Sequence, residues 1–295
     1  MSSASRVFFR SGLSLGAEKN LYIDKAIVVV NKPPNFLSQY ENSDPDFDTL
    51  DCHAAQLIST DSGVSTPLYP LHRLDKETTG CLAFARTLPA ARTLSQQFQT
   101  RTVSKIYYAL VRKGIDSFGG STQGSIKTCI AYKNGYGHLS ETGQGKEAIT
   151  EWALVGSSSN VPLSLVRLNL LTGNKHQLRI HLAAALGAPI LGDQRYSQTV
   201  PIEPLRRLLP TSKSSEAPLF LHASHLSFFR YRKNGGKKRF RLGIQAPLPE
   251  QFLQLCLKAG IKFDPELAQG GVFIDNKPVE DGRVPELDGQ YLHIS

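Results

Sequence analysis

Two stretches of the chain carry more polar chemistry than their apolar setting requires. Leu71–Gly80 reads LHRLDKETTG and places His72, Arg73 and Asp75, an imidazole, a guanidinium and a carboxyl, within an apolar frame of Leu71 and Leu74. Charges framed by leucines are costly to bury unpaired, so each needs a partner or a use. Asp75 is open to two readings, local capping and pairing or a reactive carboxylate in a cleft. The second stretch, LTGNKHQLRIHLAAALGAPILGD from Leu171 to Asp193, sets His176 and Arg179 three apart and Gln177 and His181 four apart. On a helix these pairs fall on different parts of the surface. Arg179 lies early in that helix and gains little from the backbone dipole. A carboxylate partner would account for its placement, and a surface or phosphate-binding arginine is the alternative.

The elements that must position these groups are legible as apolar runs and their punctuation. Ala26–Val30 is a β-branched run stopped by Asn31-Lys-Pro-Pro34, the first core strand. Thr78, Thr79 and Gly80 predict a tight turn into a buried strand over Cys81–Ala85. Leu88–Phe98 is helical, with Pro89 tolerated in the first turn, and Ser104–Val111 alternates as a strand. That strand carries Tyr107 beside Lys105, where a tyrosine can stack on a nucleobase or simply pack. A polar loop over 35–48, a short helix over 50–58 and short surface strands within 115–145 follow from composition. Strands over 148–155, 163–171 and 219–229, a helix over 176–186 ended by Gly187 and a helix over 248–257 complete the chain. Residues 201–218 read as a loop. The order points to a large antiparallel or mixed sheet with a few helices, not to βαβ repetition.

The chain of 295 residues suits one large domain or two closely packed subdomains, and its net charge of +9 favours an anionic partner, nucleic acid ahead of membrane. Charge is concentrated in Arg230–Arg241, RYRKNGGKKRFR, where Asn234-Gly-Gly236 predicts the turn of an exposed basic hairpin. Phosphate contact and simple solubilisation are the two uses of such a run. Cys52, Cys81, Cys129 and Cys256 form no C-x-x-C pair, and the histidines show no zinc spacing, which argues for a reducing compartment and against a metal enzyme. No apolar run is long enough to cross a bilayer. The first seventeen residues hold two arginines, several serines and no acid, the composition of an organelle-targeting leader or of a frayed terminus.

Taken together, AIVVVNKPP at 26–34, LHRLDKETTG at 71–80, SKIYYALV at 104–111, LTGNKHQLRIHLAAALGAPILGD at 171–193 and LHASHLSF at 221–228 resemble the RluA-like family of RNA pseudouridine synthases. The resemblance implies an α+β pseudouridine synthase fold. Its central mixed, mostly antiparallel sheet would lie in two subdomains flanked by helices and a basic cleft. It implies isomerisation of uridine to pseudouridine in structured RNA, without a cofactor or metal. Asp75 takes the position of the catalytic aspartate, with Arg179 paired to it and Tyr107 stacked near the uracil. Arg73 would enter the RNA stack as the target nucleotide leaves. His72, Lys105, Lys175 and His176 join it as RNA-binding residues, with Arg230, Arg232, Lys237, Lys238 and Arg239 of the basic run. Three departures stand out: Asn174 where the family commonly has Arg, Thr79 for Ser, and Pro34-Asn35 after Lys-Pro.

The division that follows is a leader over 1–19, a catalytic domain over 20–262 and a small extension of turns and short strands over 263–295. Ribosomal RNA is favoured over transfer RNA, the mitochondrion over cytoplasm or nucleus, and a monomer over an oligomer, with no membrane partner. Competing functions are a catalytically silent RNA-binding or ribosome assembly factor and a hydrolase that releases uracil.

Overall fold

The computed structural model describes residues 20–38, 68–197, 202–209, 218–232 and 238–292. The leader, the helix expected over 50–58, the hairpin turn at 234–236 with Lys237, and much of the loops over 35–48 and 201–218 lie outside the described residues. The strands are β1 Asn20–Ile23, β2 Ile27–Lys32, β3 Tyr69–Pro70, β4 Thr79–Ala85, β5 Ser104–Val111, β6 Gln123–Lys133, β7 Tyr136–Leu139, β8 Lys146–Ser157 and β9 Ser164–Leu170. Then come β10 Leu221–Tyr231, β11 Arg239–Gln245, β12 Gly271–Ile274, β13 Lys277–Pro278, β14 Arg283–Val284 and β15 Gly289–Tyr291. The longer helices are α1 Leu88–Gln99, α2 Gln177–Ile180, which runs into a π turn over His181–Ala185, and α3 Glu250–Ala259.

Among the described residues these strands make one sheet in the order β14, β15, β1, β2, β4, β10, β5, β9, β8, β6, β7, with β11, β12 and β13 branching from β10 and β3 from β4. All pairings are antiparallel except β4 with β10, where Thr79 faces His222 and Gly80 faces Ala223. The architecture is therefore mixed and mostly antiparallel. Its centre is buried on both faces. Val28, Val30, Leu82 and Phe84 join one core, while Ile27, Val29, Cys81 and Ala83 join another. Double burial explains why β2 and β4 read as continuous apolar runs rather than alternating ones.

The turn carrying Asp75 differs by a few residues from its expected place. It closes between Asp75 and Thr78, whose N–H donates to the Asp75 carbonyl at 3.1 Å, and Thr79 and Gly80 already belong to β4. Gly80 has φ +109°, and a Cβ there would collide with the Ala223 carbonyl oxygen. Its role is close approach of β4 to β10 as well as backbone freedom. The expected short surface strands within 115–145 are instead a long hairpin, with β6 paired to β8 from Gln123 to Ile130. Few apolar residues mark it, because Ile126 and Ile130 are its buried positions among Gly, Ser, Thr and Lys. The strands after residue 263 are sewn into the sheet, β12 on β11 and β15 on β1. The Tyr291 hydroxyl donates to the Gln245 carbonyl at 2.9 Å across them.

Candidate active site

Asp75 sits on a loop whose backbone is fixed on both sides. Leu71 and Leu74 are buried and anchor it to the two cores. The Ser38 hydroxyl donates to the Leu74 carbonyl at 2.8 Å and accepts the Leu74 N–H at 3.0 Å. On the other side of Asp75, the Lys76 carbonyl accepts the Asn35 N–H at 2.9 Å and the Lys32 ammonium at 2.8 Å. Lys32 is fully buried, and burial lowers its pKa to about 7 against the pull of Glu77 and Asp75. Pro33, the residue that ends β2, supplies its other acceptor at 2.9 Å.

Burial raises the Asp75 pKa above the ordinary carboxylate value; the charge of Arg179 opposes that shift, Glu77 reinforces it, and Arg73 and Lys32 oppose it further. His176 Nε2 lies 3.9 Å from its Oδ1. His176 is itself pushed down to about 4 by burial and by the Arg179, Arg195 and Lys175 charges, so at neutral pH this contact is polar rather than ionic. The His176 backbone is left-handed, φ 56°, and its Nδ1 lies 2.9 Å from the Tyr196 hydroxyl.

The expected ion pair between Arg179 and Asp75 is not formed directly. Arg179 donates Nε and Nη2 to the two oxygens of Asp193 at 2.9 Å each, and Nη1 lies 3.4 Å from Glu77. The Arg179 and Asp193 side chains are only 6% and 1% exposed, so two carboxylates within reach of the guanidinium compensate its burial. Asp193 also accepts the Arg195 and Tyr196 N–H groups through Oδ1, at 2.9 and 3.0 Å. Arg179 therefore acts on Asp75 through its field.

Two adjoining cavities meet at Arg73 and Asp75. One, of about 440 Å³, is lined by these two with Glu77, Tyr136, Arg179 and Arg195. The other, of about 260 Å³, is lined by them with Tyr107, Gly173, Lys175 and Leu178. Tyr107 projects from the central strand β5, and burial, with the Asp75 charge, raises its pKa well above the usual phenol range. It stays a neutral phenol. Lys175 is exposed on the rim, and Arg73 is exposed between the cavities. The Lys105 ammonium lies 3.6 Å from where a Cβ on Gly173 would stand, and burial and Arg101 lower its pKa to about 8. Asn174 supplies no cation. Its side chain donates to the Glu147 carbonyl at 2.8 Å and to Gln177 Oε1 at 3.2 Å, pinning the loop before α2.

Several expected RNA contacts are placed elsewhere. His72 Nε2 accepts the Ala83 N–H at 3.0 Å and its ring stacks on Phe98 at 5.0 Å. Burial pushes its pKa down to about 3, so it is a neutral packing residue. β10 pairs antiparallel with β11, but β10 starts at the cavity with Leu221 and carries Arg230 about 30 Å along the strand. Arg230 pairs with buried Asp24 at 3.0 Å and Arg232 with Glu286 at 3.1 Å. Arg239 lies 3.6 Å over the Phe229 ring, and Lys238 is exposed. Ser38, Lys32, Glu77 and Asp193 shape the site without having been singled out by the sequence. Lys32, Glu77 and Asp193 lie inside the quoted segments, but each acts through a tertiary contact that its spacing does not show, as does Ser38. Among the described residues no cluster of His, Cys, Asp and Glu could hold a metal ion, and no helix is long and apolar enough to cross a membrane.

Comparison with known proteins gives a consistent picture. Residues 26–184, more than half of the chain, match the family described as RNA pseudouridylate synthase. The protein named pseudouridylate synthase RPUSD4, mitochondrial, from Xenopus tropicalis is 35% identical over 221 residues, covering 66% of this chain and 66% of that protein. The ribosomal large subunit pseudouridine synthase D of Borreliella burgdorferi is 30% identical over 183 residues, covering 60% of this chain and 54% of that protein. The match thus spans under two thirds of the length of these relatives. Among solved structures, Human RNA Pseudouridylate Synthase Domain Containing 4 superposes with a TM-score of 0.66 at 27% identity, covering 83% of this chain and 94% of that one.

Proposed function

The chain belongs to the RNA pseudouridylate synthase family, and from that premise we propose that it isomerises uridine to pseudouridine in structured RNA. The observation that carries this reading is the Asp75 carboxyl at the junction of two cavities, with Tyr107 in one and Arg179 in the other. The reaction breaks the bond from N1 to C1′ and makes one from C5 to C1′. The proton lost from C5 is balanced by one gained at N1. Asp75 would either attack C1′ or remove the C2′ proton, and both routes need it ionised. Burial resists ionisation, and the field of Arg179, with Arg73 and Lys32, restores it. Tyr107, held neutral, would stack against the uracil and relay the C5 proton through its hydroxyl. Leu74 and Leu178, buried beside the carboxyl, would keep water from the sugar intermediate.

The base must leave the RNA stack, which costs a few kcal/mol. Exposed Arg73 is suited to fill the vacancy, with Lys175 and Lys105 on the flanking phosphates. Residues 20–262 would hold this machinery. Ribosomal RNA is the favoured substrate, supported by the bacterial relative named for the large ribosomal subunit. A mitochondrial site of action is supported by the relative so named.

The test is to incubate the protein with ribosomal and transfer RNA transcripts and map pseudouridine at nucleotide resolution. Product is expected at discrete uridines and lost in Asp75→Ala; product from that variant at the wild-type rate would overturn the assignment.

A further inference from the structure

The larger cavity has a wall that the reaction itself leaves unused. Tyr136 opens β7 at the tip of the β6–β7 hairpin, 56% exposed, and lines the same cavity as Arg73 and Asp75. The tip is tight: Asn134 and Gly135 both take positive φ, at 51° and 76°, and Lys133 pairs with Tyr136. Gly137 follows, and a Cβ there would meet the Ile180 side chain, so its bare backbone lets β7 lie against α2, the helix that carries Arg179. The hairpin tip is thereby held beside the cleft.

Tyr136 is also rigidly backed. The Arg195 guanidinium stacks 4.0 Å from the centre of its ring and donates Nη2 to the Gly135 carbonyl at 2.6 Å. The Arg195 backbone N–H is held by Asp193, the carboxylate that also grips Arg179. Arg195 in turn lies over Tyr196 at 6.0 Å, and Tyr196 carries Arg179 at 5.5 Å. An alternating ladder of aromatic rings and guanidinium planes thus runs from the buried arginine near Asp75 to the exposed tyrosine.

From this arrangement we infer that Tyr136 is a stacking platform for an unpaired nucleobase adjoining the target uridine, the ring being pre-set by Arg195. The inference rests on the RNA-isomerase reading above and adds a second base site to it. An exposed aromatic ring covered by a cation on one side offers its other face to a π-system, and every base has one, so the site takes any base. A ring already backed by Arg195, which is itself bonded to the Gly135 carbonyl, loses little freedom on binding. At about 440 Å³ the cavity is in the size range of small-ligand sites, so it has room beyond the reacting sugar. Exposed Lys76 lines it as well and suits a phosphate beside the stacked base.

The test uses RNA hairpins carrying 2-aminopurine at successive positions around a loop uridine, with fluorescence, affinity and turnover read for wild type, Tyr136→Ala and Tyr136→Phe. Stacking quenches the probe. The expected result is quenching at one position adjoining the uridine in wild type and Tyr136→Phe. In Tyr136→Ala it should be lost, with Kd raised about five- to a hundredfold and KM raised by more than kcat falls. Tyr136 is exposed, and an unchanged melting temperature shows that Tyr136→Ala still folds. Turnover with quenching that does not depend on Tyr136, or no RNA binding at all, overturns the platform. Tyr136-dependent quenching without turnover keeps the platform and sinks the isomerase reading, so the two failures are distinct.

Discussion

Arg179 gives its Nε and Nη2 donors to Asp193, each at 2.9 Å, and this bidentate pair is buried at the back of the cavity that Asp75 lines. The arginine is thereby aimed by one carboxylate while its charge acts on another. The same Asp193 oxygen that bonds Arg179 Nη2 also accepts the backbone of Arg195 and Tyr196. One side chain thus sets the position of the positive field around Asp75 and of the chain segment beside it.

Removing that carboxylate should therefore damage both folding and rate. In Asp193→Ala, a nearly buried guanidinium loses its bidentate partner, and stranding one half of a buried pair costs about 3–5 kcal/mol. Glu77 at 3.4 Å recovers part of this, which places the expected loss at the lower end. Urea unfolding should show a lower midpoint with an unchanged slope, and Arg179, released to swing, should leave pseudouridine formation strongly reduced. A midpoint equal to wild type would show that the pair contributes nothing.

The raised pKa of Asp75 sets a direction for both activity and stability. Activity needs the carboxylate, so the rate should climb with pH through a value above that of an ordinary aspartate. Removing the Arg179 charge in Arg179→Gln should move that limb to still higher pH. For stability, the folded state binds the Asp75 proton more tightly than the unfolded chain, so this group lowers stability as pH rises between the unfolded and the folded pKa. Asp75→Asn should accordingly melt higher than wild type at neutral pH and lose that advantage below the unfolded pKa. Its rate should fall by about 10⁴-fold, the scale seen on removing a central catalytic group. Thermal melts across pH, beside pseudouridine mapping, read both. A variant that melts lower at neutral pH would contradict the burial cost.

What the sequence showed was the frame of the site more than its wiring. Ser104–Val111 is a strand with the expected limits, and Leu88–Gln99 a helix one residue longer than expected, because β-branched and aromatic runs and a first-turn proline are local signals. Asp75, Tyr107 and Arg179 do converge on adjoining cavities. The partner of Arg179 was hidden because Asp193 follows only after Gly187 and Pro189 have turned the chain back, a tertiary event with no spacing rule. The packing of His72 is hidden for a related reason: it depends on the docking of Phe98 from α1. β6 runs longer than the short surface strands expected there, since its Gly, Ser and Thr residues resemble loop composition while pairing with β8 supplies its order.

Ser38 should matter to the rate out of proportion to its size. Its hydroxyl satisfies both the N–H and the carbonyl of Leu74, the residue before Asp75. In Ser38→Ala these buried groups lose their partner, at about 1–3 kcal/mol for an unsatisfied donor or acceptor. The loop would then hold Asp75 less firmly against C1′. A loss of kcat of about tenfold is expected, with a smaller change in KM, since misplacement by a fraction of an ångström weakens reaction more than binding. Ser38→Thr, which keeps the hydroxyl, should recover most of the rate. If alanine and threonine variants turn over equally, the clamp does not position Asp75.

The hairpin arginines offer the sharpest separation of scaffold from RNA contact. Arg230 lies 3.0 Å from Asp24, whose side chain is 1% exposed and already accepts the Tyr22 hydroxyl and the Ala26 and Ile27 N–H groups. Those three bonds shield the carboxylate, so Arg230→Ala should cost about 3 kcal/mol, the low end for breaking a buried pair. Because Arg230 is consumed within the fold and stands far along β10 from Asp75, RNA affinity of the folded variant should change little and its salt dependence should keep the wild-type slope. Each phosphate contact removed would lower that slope by about one. Measuring Kd from 50 to 200 mM salt alongside urea unfolding therefore decides the matter: a destabilised protein with an unaltered slope identifies Arg230 as scaffold, whereas a stable protein with a shallower slope would return it to the RNA surface.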